Sequence, residues 1–192
     1  MRIIIFGPPG AGKGTQAKRI SREYNIPHLS TGEIFRSAIR EDMPLGEKIK
    51  SYIDKGNLVP DHIVMNMVER ELDKEKYEKG YVMDGFPRTV PQAEAFNTLL
   101  ESKGRSLTAL LVLMVPEEEL IERILNRGEG RSDDTLERVK NRLAVYREET
   151  KPVLDYFQDK NKVEKINGVG SIDLIFNRIK ERLERALENN TT

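Results

Sequence analysis

Three stretches of the chain are apolar without interruption: Ile3-Ile4-Ile5-Phe6, Tyr81-Val82-Met83 and Leu110-Leu111-Val112-Leu113-Met114-Val115. A strand with one wet face alternates apolar and polar residues, whereas a strand covered by helices on both faces does not. These runs therefore predict buried parallel strands. Pro27-His28-Leu29 and Lys162-Val163-Glu164-Lys165-Ile166 are weaker candidates. Between the runs the apolar positions take a helical period. Ala17, Ile20 and Tyr24 recur this way within residues 15–24, Leu136, Val139 and Leu143 within 136–147, and Ile172, Ile175, Ile179, Leu183 and Leu187 within 171–187. Residues 117–126 follow Pro116 and open with Glu117, Glu118 and Glu119, a start that suits the positive end of a helix dipole. Strand alternating with helix predicts an α/β domain with a parallel sheet and right-handed crossovers.

Two segments break that rhythm. Residues 30–59 run from one turn signal, Ser30-Thr31-Gly32, to another, Asn57-Leu58-Val59-Pro60. They are helical in pattern and have no strand of their own, which predicts an inserted helical lobe. Residues 127–134 hold two glycines and no apolar side chain, which predicts a mobile surface loop between two helices. The polar tail from Glu188 is expected to fray. The whole reads as one domain over 1–192, with 30–59 and 127–134 as inserts.

Composition narrows the chemistry. Of 192 residues, 32 are Lys or Arg and 32 are Asp or Glu, so the net charge is zero. A whole-chain nucleic-acid footprint or polybasic membrane patch is not expected, and any anion site must come from a local cluster of positive charge. The chain has no cysteine, which excludes a disulfide scaffold, a Cys-ligated zinc site and an iron–sulfur cluster. No apolar run reaches the length of a membrane span, and Gly7-Pro8-Pro9-Gly10 ends the first run too early for a signal-peptide core. A soluble cytoplasmic protein is the expectation. His28 and His62 are expected to be structural.

Gly7-Pro8-Pro9-Gly10-Ala11-Gly12-Lys13-Gly14-Thr15 follows the first predicted strand and opens the first predicted helix. Glycines let backbone N–H groups turn inward around phosphate oxygens, the helix N-terminus adds a positive dipole end, and Lys13 brings a compact charge. The pattern G-x-x-x-x-G-K-[ST] holds through Lys13, after which Gly14 stands where a hydroxyl is expected and Thr15 supplies it one place later. A switch GTPase would also need an Asn-Lys-x-Asp element after a strand. Asn161-Lys162-Val163-Glu164 ends in the wrong acid and precedes its strand.

The second strand ends in Asp84, followed by Gly85-Phe86-Pro87-Arg88. That puts a carboxylate at the carboxyl edge of the sheet, beside the phosphate loop, where it can hold the waters of a Mg²⁺ ion. Ser30-Thr31-Gly32-Glu33 and Thr89-Val90-Pro91-Gln92 both have the spacing of a capping box, so each is at least helix punctuation. Arg123, Arg127, Arg131 and Arg142 gather around the predicted loop. In a chain this charged a lone arginine is usually solvated, but several around one loop suit the neutralisation of phosphate charge.

These motifs resemble the nucleoside monophosphate kinases, above all the adenylate kinases, over nearly the whole chain and in the family's order. The resemblance implies a P-loop NTPase-type five-stranded parallel sheet flanked by helices, with a helical AMP-binding lobe at 30–59 and a short lid loop at 127–134. It implies reversible, Mg²⁺-dependent transfer from ATP to AMP, giving two ADP, by direct in-line displacement. By resemblance, Gly10, Ala11, Gly12, Lys13, Gly14, Thr15, Arg123, Arg127 and the backbone at Gly170 meet ATP, with Arg123 stacked on its adenine. Thr31, Arg36, Asn57, Leu58, Val59, Gly85, Arg88 and Gln92 form the AMP site, joined by Arg131 and Arg142. Lys13, Arg88, Arg127, Arg131 and Arg142 carry catalysis, Asp84 serves Mg²⁺ through water, and Asp133 and Asp134 lock the lid. Thr31 with Gln92 favours AMP over UMP or CMP. Many bacterial members carry a longer lid, sometimes with zinc; this chain has neither the length nor the cysteines, so no zinc is expected. A monomer is expected, without nucleic-acid or membrane partners. A pyrimidine monophosphate kinase and a non-catalytic nucleotide-binding module are the rival readings.

Overall fold

The computed structural model describes residues 1–41, 44–126, 135–160 and 162–189, except the side chain of Asn189. The expected lid loop, with Arg127, Arg131, Asp133 and Asp134, lies outside the described residues. Five parallel strands form one sheet in the order β2-β3-β1-β4-β5. They are β1 (Arg2–Phe6), β2 (His28–Ser30), β3 (Tyr81–Asp84), β4 (Ala109–Met114) and β5 (Val163–Asn167). All five stand where the apolar runs and the two weaker candidates put them. The helices are α1 (Lys13–Glu23), α2 (Thr31–Arg40), α3 (Pro44–Ile53), α4 (Asp61–Leu72), α5 (Val90–Ser102), α6 (Glu117–Leu125), α7 (Leu136–Val145), α8 (Val153–Gln158) and α9 (Ile172–Asn189).

The uninterrupted apolar strands fit a sheet buried on both faces. Alternate residues of each strand enter different cores. Ile3 and Ile5 of β1, with Leu111 and Leu113 of β4, pack with Ala17 and Ile20 of α1, Leu120 and Ile124 of α6 and Ile179 and Leu183 of α9. Ile4, Phe6, Leu110 and Val112 face the other way, into the core of Phe35, Ile49, Val68, Phe96 and Phe157. Each such side chain contributes about 1.5–3 kcal/mol by leaving water.

Residues 30–59 form two helices, α2 and α3, and a return segment to Pro60, with no strand beyond Ser30 among the described residues. Phe35, Ala38 and Ile49 tie this lobe into the second core. The helical pattern at 136–147 is only partly α-helix. After α7 the chain widens into a π-helical turn, Tyr146–Thr150, and the backbone N–H of Lys151 donates to Tyr146 O at 2.8 Å. Pro152 has no N–H to give to the carbonyl four residues back, so the regular ladder cannot continue through it. At the other end, α9 continues to Asn189, so Glu188, where fraying was expected to begin, is still helical.

The strand order sets the position of the site. The chain leaves β1 for the β2 edge and returns to β3 beside β1, before crossing to β4 on the other side. The crevice outside the carboxyl ends of β1 and β4 is the topological switch point where ligands of such sheets bind, and β3 ends next to it. Register brings Asp84 beside Ile5 of β1 and Ser30 of β2. The loop after Phe6, the turn after Asp84 and the start of α2 therefore meet at one edge.

Candidate functional site

A cleft of about 830 Å³ opens at that edge. Its wall takes in Gly10, Ala11, Gly12, Lys13, Gly14 and Thr15 from the loop and α1, and Arg36, Asn57, Leu58 and Val59 from the helical lobe. Asp84, Gly85, Arg88 and Gln92 come from the end of β3 and the start of α5, and Arg123, Arg142 and Gly170 from the far side. Residues from opposite ends of the chain are thus brought onto one surface.

The loop is built for an anion. Gly7, Gly10 and Gly12 all take positive φ, and Gly12 caps α1 with no side chain in the way. This leaves the first N–H groups of α1 facing the cleft, where the dipole is positive. The Lys13 ammonium donates to Pro8 O at 2.9 Å, which folds the side chain back over the loop. Asp84 stands across from the start of α1: a Cβ added at Gly14 would lie 3.4 Å from Asp84 Oδ2.

A smaller recess of about 70 Å³ adjoins the cleft, and Lys13, Arg88 and Arg142 share its wall. Three cationic side chains from three parts of the chain line one small space, an arrangement that suits a highly charged phosphate group. Arg142 reaches it with its stem against the return segment, where a Cβ added at Gly56 would lie 3.2 Å from Arg142 Cγ. Asn141, one residue earlier, donates to Lys55 O at 2.7 Å and fastens that segment to α7.

The turn after β3 is tight. Gly85 has φ +82°, and a Cβ there would meet Thr31 Oγ1 at 2.7 Å. The Gly85 carbonyl accepts from Thr31 Oγ1 at 2.9 Å and from Arg88 Nε at 2.7 Å. Thr31 is 1% exposed, and its hydroxyl donates to Gly85 O, which leaves only lone pairs for a ligand. Gln92, also 1% exposed, lines the cleft.

Both capping motifs exist in part. Ser30 Oγ accepts from the Glu33 N–H at 3.4 Å, and Thr89 Oγ1 accepts from the Gln92 N–H at 3.2 Å. The Gln92 side chain closes the second box one residue early, accepting from the Arg88 N–H at 2.8 Å. Its amide then donates to Asp61 Oδ1 at 2.7 Å, and Thr89 Oγ1 donates to Asp61 Oδ2 at 3.0 Å. Asp61 has no local signature: after Pro60 it reads as an ordinary helix start.

On the opposite side, Arg123 donates to Glu119 Oε1 and to Gly168 O, the latter at 2.9 Å. The guanidinium is held between α6 and the loop after β5, on the cleft wall. In the sequence Glu119 shows only as one of three glutamates at a helix start, although its spacing of four from Arg123 also marks an ion pair. His28 lines the cleft as well. Burial pushes its pKa below 6.5, Asp84 and Glu33 pull it back up, and Lys18 adds a little to the lowering.

Among the described residues, no group of three or more His, Asp or Glu side chains could hold a bare metal ion. No helix among them is long and apolar enough to cross a membrane.

Comparison with known proteins agrees with this geometry. The family model for adenylate kinase matches residues 5–162. An adenylate kinase of Mycobacteroides abscessus is 48% identical over 96% of this chain and 100% of its own length. One from Parabacteroides distasonis is 47% identical over 94% of this chain and 96% of its own. One from Caldanaerobacter subterraneus is 43% identical over 95% of this chain and 96% of its own, and its alignment spans 212 positions, more than the 192 residues of this chain, so it carries residues that this chain lacks. The chain belongs to the adenylate kinase family, phosphotransferases that convert ATP and AMP reversibly into two ADP.

Proposed function

We propose that the two nucleotides occupy the two ends of the one cleft and exchange a phosphoryl group over the recess between them. ATP lies with its phosphates against residues 10–15 and its adenine against Arg123 and the backbone near Gly170. AMP lies under the 30–59 lobe, with Arg36 and Arg88 on its phosphate and Asn57, Leu58, Val59, Gly85 and Gln92 around its base and sugar. The observation that carries this reading is the shared wall of Lys13, Arg88 and Arg142 around the small recess. Phosphoryl transfer leaves a protein little covalent work: it aligns the attacking and leaving oxygens and spreads positive charge over the equatorial ones. Lys13 comes from the donor side, Arg88 from the acceptor side and Arg142 from α7, so each meets the migrating group from a different direction. Arg127 and Arg131 belong to this set in our reading, and Asp133 and Asp134 are its lid residues.

The family works on Mg·ATP. The residues here suit a hydrated Mg²⁺ ion: Asp84 offers a carboxylate facing the start of α1 across the loop, and an oxygen donor is what that ion takes. Bound there, the ion supplies charge neutralisation and fixes the geometry of the donor phosphates. Asp84 would hold its waters. No zinc is needed in this reading, since the chain has no cysteine. We place the enzyme in the cytoplasm as a monomer.

The base reader is Gln92, whose amide presents a donor beside an acceptor to adenine. The test is turnover with AMP, UMP and CMP in the wild type and in Gln92→Ala. The reading predicts strong preference for AMP, lowered about three- to tenfold per lost hydrogen bond in the variant, with the KM for ATP unchanged. A variant that is less stable yet keeps its full preference would make Gln92 a helix cap only.

A further inference from the structure

We infer that Asp61 is a specificity-determining positioning residue, whose carboxylate locks the Gln92 amide in one orientation and so separates 6-amino from 6-keto purine acceptors. The inference rests on the reading that Gln92 faces the AMP base, and it adds a residue and a substrate distinction to it.

The argument is one of donors and acceptors. A carboxylate accepts and never donates, so the Gln92 group 2.7 Å from Asp61 Oδ1 must be its NH₂. A backbone N–H donates and never accepts, so the Gln92 atom 2.8 Å from the Arg88 nitrogen must be its oxygen. Two neighbours of opposite character therefore pin the two ends of the amide. Turning it over would set oxygen against carboxylate and NH₂ against N–H, two repulsive contacts at a residue that is 1% exposed. Asp61 is itself held, because its second oxygen accepts from Thr89 Oγ1 at 3.0 Å, and that hydroxyl in turn accepts from the Gln92 N–H at 3.2 Å. These hydrogen bonds close a ring across α4 and α5.

With one N–H given to Asp61 and one lone pair to Arg88, Gln92 retains one N–H and one lone pair for a ligand, in a fixed order. Adenine shows an exocyclic donor beside a ring acceptor. Hypoxanthine and guanine show the reverse, an exocyclic acceptor beside a ring donor. A freely turning glutamine serves both patterns; a locked one serves a single pattern and leaves two unpaired groups against the other. Selectivity between AMP and IMP thus depends on a residue that need not touch either nucleotide.

The experiment compares kcat/KM for AMP and for IMP, with KM for ATP, in wild type, Asp61→Asn, Gln92→Ala and the double variant. An asparagine in place of Asp61 keeps the shape of the side chain but can itself turn over, so that only the Arg88 N–H still holds Gln92 in its orientation. Asp61→Asn is expected to lower the AMP:IMP ratio about three- to tenfold, the scale of one lost hydrogen bond, with the KM for ATP within about twofold. In the Gln92→Ala background the same change should leave the ratio where it was, a coupling that a purely structural role does not produce. If Asp61→Asn lowers stability and both rates alike, with the ratio intact while Gln92→Ala alters it, the lock is refuted and the base reader stands. If Gln92→Ala itself leaves the ratio unchanged, the base reader falls and the lock falls with it. Melting curves on all four proteins confirm that folded enzyme is compared.

Discussion

Gly85→Ala puts the proposed acceptor site to a quantitative test. The residue has φ +82°, where a side chain costs about 1–2 kcal/mol. Its new Cβ would stand 2.7 Å from Thr31 Oγ1 and 3.2 Å from an Arg88 guanidinium nitrogen, so both must move. Thr31 then forfeits its 2.9 Å bond to Gly85 O, worth about 0.5–1.5 kcal/mol. The sum is about 1.5–3.5 kcal/mol. At roughly 2–4 °C per kcal/mol for a chain of this size, Tm should fall by about 3–14 °C. Gly104→Ala is the control: φ is +61° there, but nothing lies within 4 Å of the added atom. It should show the backbone strain alone, with normal kinetics. The assay is a melting curve for each protein together with KM for AMP and for ATP. Gly85→Ala should raise the KM for AMP several-fold more than that for ATP, since the displaced arginine is on the AMP side. Equal melting temperatures in the two variants, with no change in KM for AMP, would refute the idea that this turn sets the acceptor site.

Lys13→Ala should cost on the order of 10²–10³ in kcat; near-normal turnover would remove Lys13 from the chemistry. Glu119→Ala should raise the KM for ATP about two- to fivefold, the modest worth of a partly exposed ion pair, and leave the KM for AMP alone, as steady-state kinetics would show. His28, held below 6.5 by burial, binds a proton more readily in the unfolded chain. Its contribution to stability is therefore present above that value and lost as pH falls through it toward the folded pKa. Tm measured from about pH 7.5 to about pH 5 should drop less in His28→Gln than in the wild type.

How much of this is legible in the sequence depends on where each element sits. The central strands β1, β3 and β4 are buried on both faces, so their apolar runs are unbroken. The edge strands give weaker signals for a physical reason: β2 has three residues and one partner, and β5 carries Glu164 and Lys165 because its outer side needs little covering. Helix α4 falls outside the predicted elements, although Ile63, Val64, Val68 and Leu72 carry its period. Helix α8 has six residues, too few for a period to declare itself. The phosphate loop, Asp84, Arg88 and Gln92 stand out because backbone geometry ties their residue types to short spacings. Asp61 and Asn141 do not. Each acts through a contact with a distant segment, 31 and 86 residues away, and nothing local marks such a partner.

The central claim is that donor and acceptor meet in one cleft and that the phosphoryl group passes directly between them. The most direct measurement is the stereochemical course at phosphorus, with ATP made chiral at its γ-phosphate by sulfur and oxygen isotopes and AMP as acceptor. One in-line displacement in the recess walled by Lys13, Arg88 and Arg142 inverts the configuration. Inversion is the predicted result; retention would mean two displacements through a phosphorylated side chain and would contradict the account.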